Sequence, residues 1–306
     1  MPATRGGELR GVGERSSPLV GRVSSPDENV QLRAPRLATD TILAHGKDAG
    51  LGAGMAWHGP PGRQLYYEDS GRGDAVVLMP GWGGSIADLG RLRRDLADGF
   101  RVIAVDLPGS GRSQPQPRHY TPGYYHQDAT VLLGLLDALG IGAAHLAGFS
   151  DGGEEALLMA ALRPGCALSV FTWGATGQIV ASHADLDELA AAVTSPSDAL
   201  APLAAYLTDA YGRANAEIMT RTWSSAMRGI LDAGGDISRS MAARIRCPAL
   251  LVAGTYDKFC PPEKTRELAE AIPRGEFAEA HGVGHEIHIS HGDWLSAMAL
   301  RWLAGH

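Results

Sequence analysis

The chain has 306 residues, 44% hydrophobic and 20% charged, enough for one large domain or two small ones around a substantial core. Its net charge of -7 argues against nucleic acid or an anionic membrane surface as a partner, and no apolar run reaches the roughly 18 residues of a spanning helix. Cys166, Cys247 and Cys260 have neither metal-ligand spacing nor an even count, and no apolar leader opens the chain, so free thiols in the cytoplasm are expected.

Residues 1–54 are rich in Gly, Pro, Ser and Arg without apolar periodicity, and are read as a disordered or loosely attached extension. Met55 opens the first segment with structural character and is a candidate native start; the alternative is an arm that folds back over the site. Gln64 to Glu68 predicts an early strand, ended by Asp69-Ser70-Gly71. Ala75 to Met79 is a continuous apolar run, as expected of a strand buried on both faces, and it enters the glycine-rich loop Pro80-Gly81-Trp82-Gly83-Gly84. A helix is predicted over 86–98 with Leu89, Leu92 and Leu96 inward, then a strand over Arg101 to Val105. A second helix over about 123–139 has Val131, Leu132, Leu135, Leu136 and Leu139 as its apolar stripe.

The chain is organised around Ala144 to Gly153, where an apolar run ends in Gly148-Phe149-Ser150-Asp151-Gly152 and an Ala/Leu-rich helix follows. This is the sequence form of a nucleophile elbow, a tight strand-to-helix turn that lifts one hydroxyl above a sheet edge. Leu168 to Thr172 is the next strand. The strand rhythm then stops over 178–242, an Ala-rich helical stretch with Pro196, Pro202, Trp223 and Met227. It resumes with a strand at Ala249 to Ala253, a helix over 262–272, a strand at Glu276 to Ala280 and a helix over 291–304. Alternating strands and helices predict a mostly parallel α/β sheet covered on both faces. The chain thus divides into 1–54, a core over 55–177, a helical cap over 178–242 lying over the strands' C-terminal edge, and a second core part over 243–306.

A serine hydroxyl needs a base within reach, and the base needs a carboxylate to fix its tautomer. With an elbow the chain order is Ser, acid, His, and Ser150, Asp257 and His285 supply it: Asp257 follows a strand end, and His285 sits in the loop Gly282-Val283-Gly284. His281, His288 and His291 are the rivals; the first is too close to the strand end and the others fall in the closing helix. The oxyanion-hole donors are assigned to the N–H groups of Asp151 and Trp82. The four histidines lack His-Glu-x-x-His spacing and no Cys or acidic cluster completes them, so no metal is expected. Trp173, Trp223 and Met227 are candidate substrate-pocket residues.

Pro80-Gly81 after a buried strand, Ser150-Asp151-Gly152-Gly153, Cys247-Pro248-Ala249-Leu250 and Gly284-His285 with His288 resemble the α/β-hydrolase superfamily, and most of all its biphenyl-hydrolase-like (valacyclovir hydrolase) group. The resemblance implies an eight-stranded sheet with a helical cap, no cofactor and hydrolysis of small esters. It also implies that Asp151 receives a substrate amino group, which makes an aminoacyl ester a candidate substrate. Two departures stand out: Glu154 and Glu155 replace an apolar and a small residue, and the cap matches loosely. The two glutamates are expected to face away or to pair with Arg or Lys.

The resulting expectation is a serine esterase acting on a small molecule through an acyl-enzyme. Alternatives with the same triad are a lactonase, thioesterase, amidase or acyl transferase; a small-molecule receptor on a hydrolase scaffold is the non-enzyme alternative. Dehalogenases and epoxide hydrolases need a carboxylate where Ser150 stands.

Overall fold

The computed structural model describes residues 54–306. The expectation for residues 1–53 lies outside the described residues, and Gly54 already belongs to a strand. Eight strands form one sheet: β1 (Gly54–His58), β2 (Leu65–Gly71), β3 (Ala75–Met79), β4 (Arg101–Val105), β5 (Ala144–Phe149), β6 (Ala167–Trp173), β7 (Ala249–Gly254) and β8 (Gly275–Ala280). Their order across the sheet is β1-β2-β4-β3-β5-β6-β7-β8. β1 and β2 pair antiparallel and β2 runs antiparallel to β4, while β3 to β8 are mutually parallel.

The parallel centre explains the unbroken apolar runs: β5 and β7 have helices on both faces and almost no polar side to present. On one face α1 (Gly90–Ala97) and α9 (Gly292–Ala304) pack Leu92, Leu96, Leu295 and Leu303 against Val76, Leu78 and Val252. On the other, α2 (Tyr124–Ala138), α3 (Asp151–Leu162) and α7 (Pro262–Ala271) cover Val77, Leu146 and Leu251. From β3 the chain steps to β4 on one side and then to β5 on the other. That reversal is a topological switch point, and the C-terminal ends of the strands flanking it, β3 and β5, are where open α/β sheets bind ligands.

Between β6 and β7 the chain forms α4 (His183–Ala190), α5 (Ala201–Tyr211) and α6 (Arg213–Asp232). Pro202 sits in the first turn of α5, where its missing N–H costs no helical bond, and Gly212, at φ +76°, separates α5 from α6. A bridge between Gln178 and Asp236 draws the two ends of this insertion together. Tyr211 fastens it to the sheet loops: its hydroxyl donates to the Gly83 carbonyl (2.8 Å) and accepts from the Gly111 N–H (2.7 Å). Among the described residues no helix is long and apolar enough to cross a membrane.

Three local expectations need correction. Asp69-Ser70-Gly71 does not end β2; pairing with β4 carries the strand to Gly71↔Arg101, and Asp69 bonds the Arg101 guanidinium (2.7 Å). Val131 of α2 is 42% exposed and Leu139 only partly buried, whereas Leu133 is buried. The helix predicted over 291–304 is preceded by a separate single turn, α8 (Ile287–Ser290).

Candidate active site

Ser150 follows β5 at φ 52°, ψ -118°, the one non-glycine residue with positive φ among the described residues. Such a conformation costs on the order of 1–3 kcal/mol and persists only where the surroundings enforce it. Two glycines make the turn possible. A Cβ on Gly148 would stand 2.1 Å from the Gly152 carbonyl, and one on Gly152 2.4 Å from that of Pro80. The Ser150 N–H bonds the Trp173 carbonyl (2.9 Å), and its own carbonyl accepts from Gly153 (2.8 Å), so the turn is fixed on both sides.

Two further strand ends bring the partners. His285 Nε2 lies 3.1 Å from Ser150 Oγ, and Nδ1 lies 2.7 Å from Asp257 Oδ2. The other carboxylate oxygen of Asp257 accepts the N–H groups of Phe259 (2.9 Å) and Cys260 (2.8 Å), so the acid is oriented by its own turn. The loops carrying acid and base are tied by the Tyr256 N–H to the Val283 carbonyl (2.8 Å). Gly174, at φ +74°, leaves room for the imidazole: a Cβ there would stand 2.7 Å from His285 Cε1.

The rival histidines lie elsewhere. His281 is 85% exposed beside Glu279, and His291 is exposed at the start of α9. His288 packs on Phe149 and accepts the Trp173 indole N–H at Nδ1 (3.2 Å); burial and the nearby His285 push it down to about 3, so it is neutral.

Asp151 is the first residue of α3, so its N–H is one of those a helix leaves without an internal partner, at the positive end of the helix dipole. Gly81 packs on Phe149 and Ser150, a virtual Cβ there standing 3.2 Å from the Ser150 Cβ, and Trp82 follows it in the same loop. The Trp82 ring faces Trp223 of α6, with centroids 4.8 Å apart.

The Asp151 carboxylate is buried and engaged. It accepts the hydroxyls of Tyr124 (2.6 Å) and Tyr125 (2.8 Å) and the indole N–H of Trp223 (3.2 Å). Burial raises its pKa, opposed by these three donors, while both phenols are pushed well above their ordinary range. Tyr124 and Tyr125 escaped the sequence reading, although a tyrosine pair opening a helix after Pro122-Gly123 is its visible trace. Of the other pocket candidates, Trp173 is fully buried, stacked on Phe149 behind the site, and Met227 is buried in the core under α6. Neither offers open surface; of the three candidates, Trp223 alone bonds Asp151.

Glu154 and Glu155 also depart from expectation, since both are buried and face inward. Glu154 Oε1 accepts the N–H groups of Thr176 (2.9 Å) and Gly177 (2.7 Å), and Oε2 the Ser238 hydroxyl (2.8 Å). Burial outweighs these bonds and lifts its carboxyl to about 7. Glu155 sits against Asp128, whose carboxylate is held by both terminal nitrogens of Arg118 (2.6 and 2.7 Å). Burial, then the charges of Asp128 and Asp151, push the Glu155 carboxyl well above its ordinary range.

Residues 74–292 match the family model described as alpha/beta hydrolase fold. The human serine hydrolase BPHL is 33% identical over 249 residues, 78% of this chain and 82% of that protein. The pimeloyl-[acyl-carrier protein] methyl ester esterase of Chromobacterium violaceum is 30% identical over 253 residues, covering 77% and 96%. Among solved structures, the enol-lactonase of Burkholderia xenovorans superposes with a TM-score of 0.68 at 24% identity, covering 81% of this chain and 100% of that one.

Proposed function

The chain belongs to the α/β-hydrolase family, and from that membership we propose that it is a serine hydrolase that cleaves a small carboxylic ester through an acyl-enzyme. The observation that carries the reading is the hydrogen-bonded series Ser150–His285–Asp257 on a strained elbow. In the proposed reaction Ser150 Oγ attacks the ester carbonyl while His285 Nε2 takes its proton. Asp257 keeps the other ring proton on Nδ1 and stabilises the imidazolium. The oxyanion accepts from the N–H groups of Asp151 and Trp82. Collapse returns the proton to the leaving alcohol, and water repeats the sequence on the acyl-serine.

The acyl group is read as uncharged near Asp151. Three neutral donors already occupy most of the roughly four acceptor positions of that carboxylate, which weakens the aminoacyl reading. The names of the relatives, a serine hydrolase and a methyl ester esterase, agree with ester chemistry. The free thiols of Cys166, Cys247 and Cys260 support a reducing compartment such as the cytoplasm, and the net charge of -7 favours a small-molecule partner over nucleic acid or membrane.

The test is a fluorophosphonate probe followed by a panel of esters, lactones and thioesters. Wild type should be labelled and turn over short esters, and Ser150→Ala should do neither. Labelling without turnover on the whole panel would favour a receptor.

A further inference from the structure

One side chain beside His285, the Cys260 thiol, carries out no step of the proposed hydrolysis. Cys260 lies three residues after Asp257, in the turn that leaves β7. Its backbone N–H occupies Asp257 Oδ1, leaving Oδ2 as the oxygen that faces His285. Its thiol donates to the Gly174 carbonyl at 2.9 Å. Gly174 in turn abuts the Nδ1–Cε1 edge of the imidazole, since a Cβ there would stand 3.1 Å from Nδ1. One oxygen of Asp257, the sulfur of Cys260 and one nitrogen of His285 all fall within 4.8 Å of one another. Sequence spacing ruled against a metal because nothing completed the four histidines; the fold supplies the missing carboxylate and thiol to one of them.

We propose that Asp257, Cys260 and His285 form a binding site for a thiophilic divalent cation of the Zn²⁺ kind, and that its occupancy switches the serine off.

Sulfur, imidazole nitrogen and carboxylate oxygen are the donor set of tetrahedral zinc, with a water in the fourth position. Metal–ligand bonds of about 2.0–2.3 Å put such donors roughly 3.3–3.8 Å apart. The Asp257–His285 pair, at 2.7 Å, must open, and the sulfur must draw in by up to about 1–1.5 Å. Thiolate and carboxylate together balance the double positive charge. Burial and the charges of Asp257, Glu154 and Asp151 hold the free thiol protonated, and that same negative field attracts a dication. Binding releases the thiol proton to solvent. The metal takes the Nδ1 lone pair, so the single ring proton moves to Nε2. That nitrogen faces Ser150 and no longer has a lone pair to accept the serine proton, so attack stops.

The binding half of the inference stands apart from the hydrolase reading; the inhibition half rests on it. Cd²⁺ is titrated into wild type and Ser150→Ala while the ultraviolet thiolate-to-metal band is followed. One equivalent should bind in both. Cys166 and Cys247 are buried, and among the described residues neither joins a group of three possible metal ligands, so the band reports Cys260. In Cys260→Ala and Cys260→Ser, whose thermal melts verify folding, the band should vanish and affinity fall roughly 100-fold. Zn²⁺ at saturation should lower wild-type ester turnover at least about 10-fold relative to the metal-free rate, whereas Cys260→Ala, measured against its own metal-free rate, resists. No band in wild type, a band that survives in Cys260→Ala, or equal Zn²⁺ inhibition of both proteins overturns the proposal. If no ester is turned over, the Cd²⁺ titration still decides whether the site exists.

Discussion

The indole of Trp223 lies over that of Trp82, with centroids 4.8 Å apart, and its N–H reaches both the Tyr124 hydroxyl (2.9 Å) and Asp151 Oδ2 (3.2 Å). A residue of α6 thus touches the loop assigned to one oxyanion donor and the side chain of Asp151, whose backbone N–H is assigned as the other. Trp223→Ala should therefore change the relative rates along a series of acyl-chain lengths. Trp173→Ala and Met227→Ala should instead cost stability, about 3–5 and 2–5 kcal/mol, with uniform rate loss across the series. Urea unfolding alongside the ester series separates the two behaviours. A uniform loss in Trp223→Ala would place it with the core residues.

Ser150→Ala and His285→Ala should each lower kcat/KM by roughly 10⁴-fold or more without unfolding the protein, and the double variant should be little worse than either. His281→Ala should be mild, since that side chain is 85% exposed and lies beside Glu279. Initial rates on one activated ester settle the matter; a severe His281→Ala with a mild His285→Ala would reverse the assignment of the base.

Glu154 gives a pH prediction of definite sign. Its carboxyl is lifted from 4.5 to about 7, chiefly by burial, so the folded state holds the proton more tightly than the unfolded chain. The stability this contributes is complete below pH 4.5 and is lost as pH rises to about 7, roughly 3 kcal/mol in all. Glu154→Gln keeps the geometry: its oxygen accepts from Thr176 and Gly177, and its amide can donate to Ser238. The difference in urea midpoint between wild type and variant should therefore move in favour of the variant between pH 4.5 and 7. Subtracting the two curves removes the contribution of Asp106, a second buried carboxyl raised by burial to about 6. A difference that stays flat across that range would refute the assignment.

What was legible in the sequence follows from how directly each feature is local. β3, β5 and β7 were readable because burial on both faces leaves an unbroken apolar run. The elbow was readable because steric room at Gly148 and Gly152 is a requirement at fixed spacing. Trp223 and Met227 sit four residues apart on one helix, yet one reaches Asp151 and the other the core, a distinction set by α6 docking rather than by periodicity. The glutamates were misread because charged residues are seldom buried without partners. Their partners come from distant segments: Ser238 lies 84 residues from Glu154, and Asp128 belongs to the preceding helix.

The Asp151 carboxylate decides whether an amine on the substrate matters. A charged hydrogen bond in a covered site is worth about 1.5–3 kcal/mol, or roughly 10- to 150-fold in favour of an aminoacyl ester over its des-amino analogue. To gain it, an ammonium must reach a side chain that is 5% exposed, beneath Trp223, and must compete with Tyr124, Tyr125 and the Trp223 indole. The bonds surrendered to neutral donors, about 0.5–1.5 kcal/mol each, cancel much of that gain. The expected rate ratio is therefore within about threefold of one, well short of the full value of the charged bond. Asp151→Asn, which keeps the backbone donor and most of the shape, should leave the ratio unchanged while disturbing the tyrosine contacts. Matched aminoacyl and acyl esters of one alcohol, compared in both proteins, provide the measurement. A wild-type ratio above about 10 that collapses in Asp151→Asn would show that the three donors give way and that this carboxylate selects an amine.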